Sequence, residues 1–136
     1  MPANELAAQI AARLAALMAE ESSTLRTALG HLQAERKALE AGEVDSLAAL
    51  ATRKSEAYAH LAKLGDARTA LLARAGTRPT RADIDALFAS GPEWTACKPL
   101  FVELMALARE AHDLNQGNGL LIRAQMKSSK QALAVL

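Results

Sequence analysis

The side chains that could do chemistry are few and scattered. His31, His60 and His112 lie in separate segments, with no HExxH pair and no Cys/His cluster at ligand spacing. Neither metal ligation nor any cofactor is therefore expected. Gly117 and Gly119 stand inside a helical pattern and follow no strand, so they do not form a phosphate loop. Cys97, the single thiol, adjoins Lys98 but has no base at an arguable spacing; a small apolar residue near a helix start is the stronger reading. Arg13, Lys54 and Arg68 are the cations that could hold an anionic substrate inside a helical bundle. No catalytic residue is assigned.

The elements that must position these residues follow from composition. Of 136 residues, 32 are Ala and 22 are Leu, against three Val, three Ile, two Phe, one Tyr and one Trp. Such a chain is rich in helix formers and poor in sheet formers, which predicts an all-α fold. A formal charge of +1 gives no electrostatic case for nucleic acid or an anionic membrane. One cysteine suits a reducing compartment. Glu5 and Arg13 interrupt the apolar N-terminal stretch, and no uncharged run approaches the ~18 residues of a membrane span. The expected location is the cytoplasm.

Glycine and proline divide the chain. From Ala3 to about Ala41, Leu6, Ile10, Leu14, Leu17, Leu25, Ala28, Leu32 and Leu39 recur in steps of three and four or their multiples, marking one helix about 57 Å long. Gly42 is placed as its cap and Asp45 as the N-cap of a second helix, over about 46–75 and ended by Gly76. Gly65 is a potential weak point within it. Its stripe is Leu47, Leu50, Ala57, Leu61, Leu64, Leu71 and Leu72.

A short turn makes these two helices antiparallel, so facing residues share one index sum. Leu39 with Leu50, Leu32 with Ala57 and Leu25 with Leu64 share it. So do Glu35 with Lys54 and Glu21 with Arg68. One register thus matches apolar with apolar and acid with base, and predicts both ion pairs at the edge of the seam. Their expected role is register, since a partly exposed pair adds only ~0.2–1 kcal/mol.

Thr80 and Asp83 resemble a capping box opening a short helix over about 81–89, stopped by Ser90, Gly91 and Pro92. The last helix is expected to start at Pro92 or Pro99 and to run to about 135. Trp94 and Phe101 are expected to pin this connection onto the hairpin. Along the last helix the seam Leu100, Leu104, Leu107, Ala111 and Leu114 turns polar at Asn118, Gln125 and Ser128. A second apolar line then appears through Ile122, Met126, Leu133 and Leu136. Apolar on a broad arc yet unsuited to a dry core, this end has the pattern of a helix-docking surface. The fold class predicted is an elongated antiparallel bundle of three long helices with a short connecting helix, in a single domain over 1–136.

The run Leu114-Asn115-Gln116-Gly117-Asn118-Gly119-Leu120-Leu121-Ile122, continued by Gln125 and Gln131-Ala132-Leu133-Ala134-Val135-Leu136, resembles the C-terminal signature of FlgN-type flagellar export chaperones. Gly42-Glu43-Val44-Asp45-Ser46-Leu47, with Lys54 and Leu61 after it, is similar to that family's helix break. Gly117 departs from the pattern, standing where the family carries a bulkier residue. The resemblance implies a cytoplasmic, non-catalytic chaperone of the flagellar type III export system. It implies binding of hook-associated proteins through their terminal helices, keeping them from assembling early, and delivery to the export gate. Carried over residue by residue, the client-binding positions are Asn115, Asn118, Gly119, Leu121, Ile122, Gln125, Met126, Leu133 and Leu136.

Two other readings of the same residues stay open. Asn118 on a seam could set helix register, and the apolar line could pair with a second copy in a homodimer, as in a self-associating coiled-coil adaptor. A small helical enzyme of chorismate-mutase type would require Lys54 and Arg68 to be unpaired.

Overall fold

A computed structural model describes residues 3–135. The chain folds into α1 (Ala3–Ala41), α2 (Leu47–Arg74), α3 (Arg81–Phe88), a single 3-10 turn at Pro92–Trp94 and α4 (Cys97–Val135). It is an all-α bundle, with no strand among the described residues.

Local signals explain most of the boundaries. Gly42 and Gly76 take φ of 70° and 74°, the left-handed conformation that ends a helix at little steric cost. Beyond each, an amide donates back across the last turn: Glu43 N–H to the Ala38 carbonyl at 2.9 Å and Thr77 N–H to the Leu72 carbonyl at 2.9 Å. Thr80 caps α3 by accepting from the Asp83 amide at 3.3 Å. Gly65 does not interrupt α2.

Two boundaries differ from expectation. Ser46, not Asp45, precedes α2, and its hydroxyl turns back to the Glu43 carbonyl (3.4 Å) instead of capping the helix. The break is tight enough that the chain reaches helical geometry at Ser46 itself, leaving Asp45 in the turn. Neither proline begins α4. Pro92 opens the 3-10 turn, and α4 starts at Cys97 with Pro99 in its first turn, where an amide would have no helical partner anyway.

α1 lies between α2 and α4 and packs against both along its length. Its Ile10, Leu14, Met18, Leu25 and Leu32 form the spine of the core, joined by Leu71 and Leu72 of α2 and by Phe101 and Leu104 of α4. Trp94, 2% exposed, locks the connection in place. Phe88 stacks on it with ring centroids 6.3 Å apart and meets Phe101 edge-on at 5.8 Å. Aromatic pairs of this kind add about 0.5–1.5 kcal/mol beyond area burial. Trp94 therefore serves the core.

Candidate functional site

The chemistry of the interior gathers where α1 faces its two neighbours. Lys54 donates to both carboxylate oxygens of Glu35, at 3.2 and 3.1 Å, and to Asn115 Oδ1 at 3.2 Å. Arg68 lies 3.1 and 3.0 Å from the two oxygens of Glu21 through Nε. These are the acid–base pairs that share the apolar index sum. Their placement differs from the seam edge in one respect: both carboxylates are buried, while Lys54 and Arg68, reaching them from α2, stay partly exposed. Burial pushes the Glu21 carboxyl above its usual range, against the pull of the Arg68 charge.

Asn118 completes the first of these clusters. Its side chain is wholly inaccessible, and its amide donates to Glu35 Oε1 and to the Leu32 carbonyl, both at 2.9 Å. Its Oδ1 accepts from Arg36 Nε at 2.7 Å. Both N–H donors and the carbonyl oxygen of this buried amide thus have partners, as a polar group inside a bundle requires. Glu35, Lys54, Asn115, Asn118 and Arg36 form one network that ties α1, α2 and α4 at a single level. Arg36, which the sequence does not single out, owes its place to Gly117: a β-carbon at 117 would collide with its Nη2.

α4 runs parallel to α1 at a fixed offset. Cys97 Sγ–H donates to the Ala11 carbonyl at 3.4 Å, Asn118 to that of Leu32, and Gln125 Nε2 to that of Leu39 at 2.6 Å, each pair 86 residues apart. The donors are separated by multiples of seven residues, the spacing of a coiled-coil seam. Gln125 adds a short bond to a carbonyl in the last turn of α1 that otherwise accepts only the Gly42 amide, at 3.4 Å. Cys97 is buried and its thiol pKa raised by that burial, so it is a packing residue and not a reactive one.

The same offset brings Ala41 level with Lys127. Residues 128–135 therefore extend about 12 Å past the hairpin turn with no helix beside them. From Arg123 to Val135 every residue is exposed. Met126 is 64% and Leu133 69% exposed, and Leu120 and Val135, which were not among the candidates, are exposed as well. Gly119, Leu121 and Ile122 are half-buried a turn or two before α4 leaves the hairpin. A groove of about 520 Å³ between α2 and α4, lined by Lys54, Asn115, Gly119, Leu120, Ile122 and Arg123, leads onto this face. Leu136 lies outside the described residues.

Eight of the nine carried-over positions are described, and they divide by location. Asn115, Asn118 and Gln125 hold α4 to the hairpin; Gly119, Leu121 and Ile122 are half-buried just before the exit; Met126 and Leu133 are exposed. Of the cations an enzyme would need, Lys54 and Arg68 are taken up by acids. No group of His, Cys, Asp and Glu that could hold a metal occurs among the described residues, and no helix there is long and apolar enough to cross a membrane.

Compared with known families, residues 6–136 match the family described as FlgN protein. The chain belongs to the FlgN family. It is a flagellar export chaperone, and its partners are flagellar proteins in general. No curated protein and no solved structure matches it. In this FlgN protein the Asn-Gly stretch precedes the unaccompanied end of α4, and its Asn118 contributes a buried clasp to α1.

Proposed function

We propose that this FlgN protein binds hook-associated proteins of the flagellum in the cytoplasm, keeps them unassembled and brings them to the export gate, by covering their terminal helices with the open face of α4. The observation that supports this most is the apolar line that starts at half-buried Ile122 and continues through Met126 and Leu133, both exposed, onto the part of α4 that extends past the hairpin. An assembly protein that carries amphipathic terminal segments exposes apolar stripes until it polymerises. A helix that offers its own apolar line can cover such a stripe without covalent chemistry, and the protein acts without catalysis. Burying a Leu or Met side chain contributes about 1.5–3 kcal/mol, reduced by the cost of ordering the client segment. Met126 suits clients of different shape because its unbranched thioether side chain repacks readily.

The test is light scattering on size-exclusion fractions of the protein alone and mixed with hook-associated proteins of the same bacterium. Met126→Asp combined with Leu133→Asp alters only exposed side chains, so the bundle is expected to keep its helicity. A one-to-one complex that this double variant does not form supports the proposal. A dimer of the chain broken by the same substitutions, with no client complex, points instead to the self-associating adaptor.

A further inference from the structure

The open end of α4 carries charge of one sign. Arg123, Lys127 and Lys130 recur in steps of four and three, and no Asp or Glu follows Asp113. Each of the first two stands one residue after Ile122 or Met126, about 100° further round the axis, so the cations form an edge beside the apolar line. All three are exposed and none is in an ion pair among the described residues, whereas Lys54 and Arg68 are held by buried acids.

We infer that the segment seated on this face is an amphipathic helix with acidic residues along the edge that meets Arg123, Lys127 and Lys130. The inference rests on the client reading above and specifies the chemistry of the client segment. The apolar line supplies burial without discriminating between stripes. The basic edge adds discrimination, because a partner with acids there gains attraction and faster encounter, while one with Lys or Arg there is repelled. The same end of α4 in a second copy lacks the matching charge. In an antiparallel pair the two basic edges oppose each other, and in a parallel pair the basic edge meets the side bearing Gln125 and Ala132. Neither arrangement supplies an anion.

Calorimetric titration with the same hook-associated proteins separates this inference from the reading beneath it. The variants are Arg123→Gln, Lys127→Gln and Lys130→Gln combined, and the apolar pair Met126→Asp with Leu133→Asp. The expected result in about 50 mM salt is affinity about tenfold weaker for the charge variant at unchanged helicity, the gap closing in roughly 300 mM salt. Binding of the charge variant within about twofold of the parent, while the apolar variant has lost it, overturns the acidic edge and leaves the client reading standing. Full binding by both variants overturns the two together. Phosphatidylglycerol vesicles that bind the parent but not the charge variant, with client binding unchanged, assign the basic edge to a lipid surface and overturn the inference.

Discussion

Gly117 and Arg36 occupy one place in the bundle. The guanidinium of Arg36 lies where a side chain at 117 would begin, and from there its Nε reaches Asn118 Oδ1 at 2.7 Å. A glycine at 117 leaves that place open. In this chain an arginine from α1 fills the notch.

The pair is therefore coupled. Gly117→Ala gains about 1 kcal/mol of helix propensity but forces the Arg36 guanidinium to shift, weakening a charge-assisted bond whose full worth is about 1.5–3 kcal/mol. The single substitution is expected to be neutral or mildly destabilising, and the same substitution in an Arg36→Ala background to stabilise by about 1 kcal/mol. Chemical denaturation of the four proteins in a double-mutant cycle should give a coupling above about 0.5 kcal/mol. Additivity would mean that Arg36 makes no use of the notch.

Asn118→Ala should be the costliest change in the Asn-Gly stretch. It withdraws a donor from Glu35 and from the Leu32 carbonyl and an acceptor from Arg36, at a site with no access to water. About 2–4 kcal/mol is expected. Asn115→Ala, which removes one half-buried bond to Lys54, should cost about 1 kcal/mol or less. Thermal unfolding of the two variants checks the order.

The hairpin register was legible before the fold because a short turn dictates antiparallel pairing, and Glu35, Lys54, Glu21 and Arg68 then reveal the alignment. The depth of those acids was not legible, since it depends on α4 closing over α1. Nor was the register of α4, which is set by an irregular connection through α3 and the 3-10 turn. Glu35 and Asn118 each interrupt an apolar seam with a polar residue, and pairing such interruptions would have suggested that they meet. Arg36 gives no such sign: it lies beside its stripe and acquires a role only once Gly117 is opposite.

Glu21 makes stability depend on pH in a particular direction. Its carboxyl titrates above the usual range in the folded protein, so in that window the folded state holds more protons than the unfolded one. Its contribution is thus present below the ordinary carboxylate pKa and is lost as pH rises through the elevated one. Glu21→Gln removes the titration. The stability of the variant relative to the parent should be most favourable at neutral pH and should decline as the pH is lowered towards the ordinary carboxylate value. Melting curves of both proteins across that range test the sign, and a trend in the other direction would refute it.

Ser22 is buried, and its hydroxyl has no hydrogen-bond partner. Removing an unsatisfied buried group and inserting a better helix former both favour Ser22→Ala, which is expected to raise stability by up to about 1 kcal/mol. A lower melting temperature would show that the hydroxyl has a partner after all.

The central claim is that clients are bound on the part of α4 that outruns the hairpin. Hydrogen exchange followed by mass spectrometry, with and without a hook-associated protein, tests it most directly. Residues 128–135 extend past the hairpin, so their amides should exchange fast in the free protein and slow markedly in the complex, while α1 and α2 change little. Protection that appears on α1 or α2 and leaves 128–135 unchanged would contradict the account.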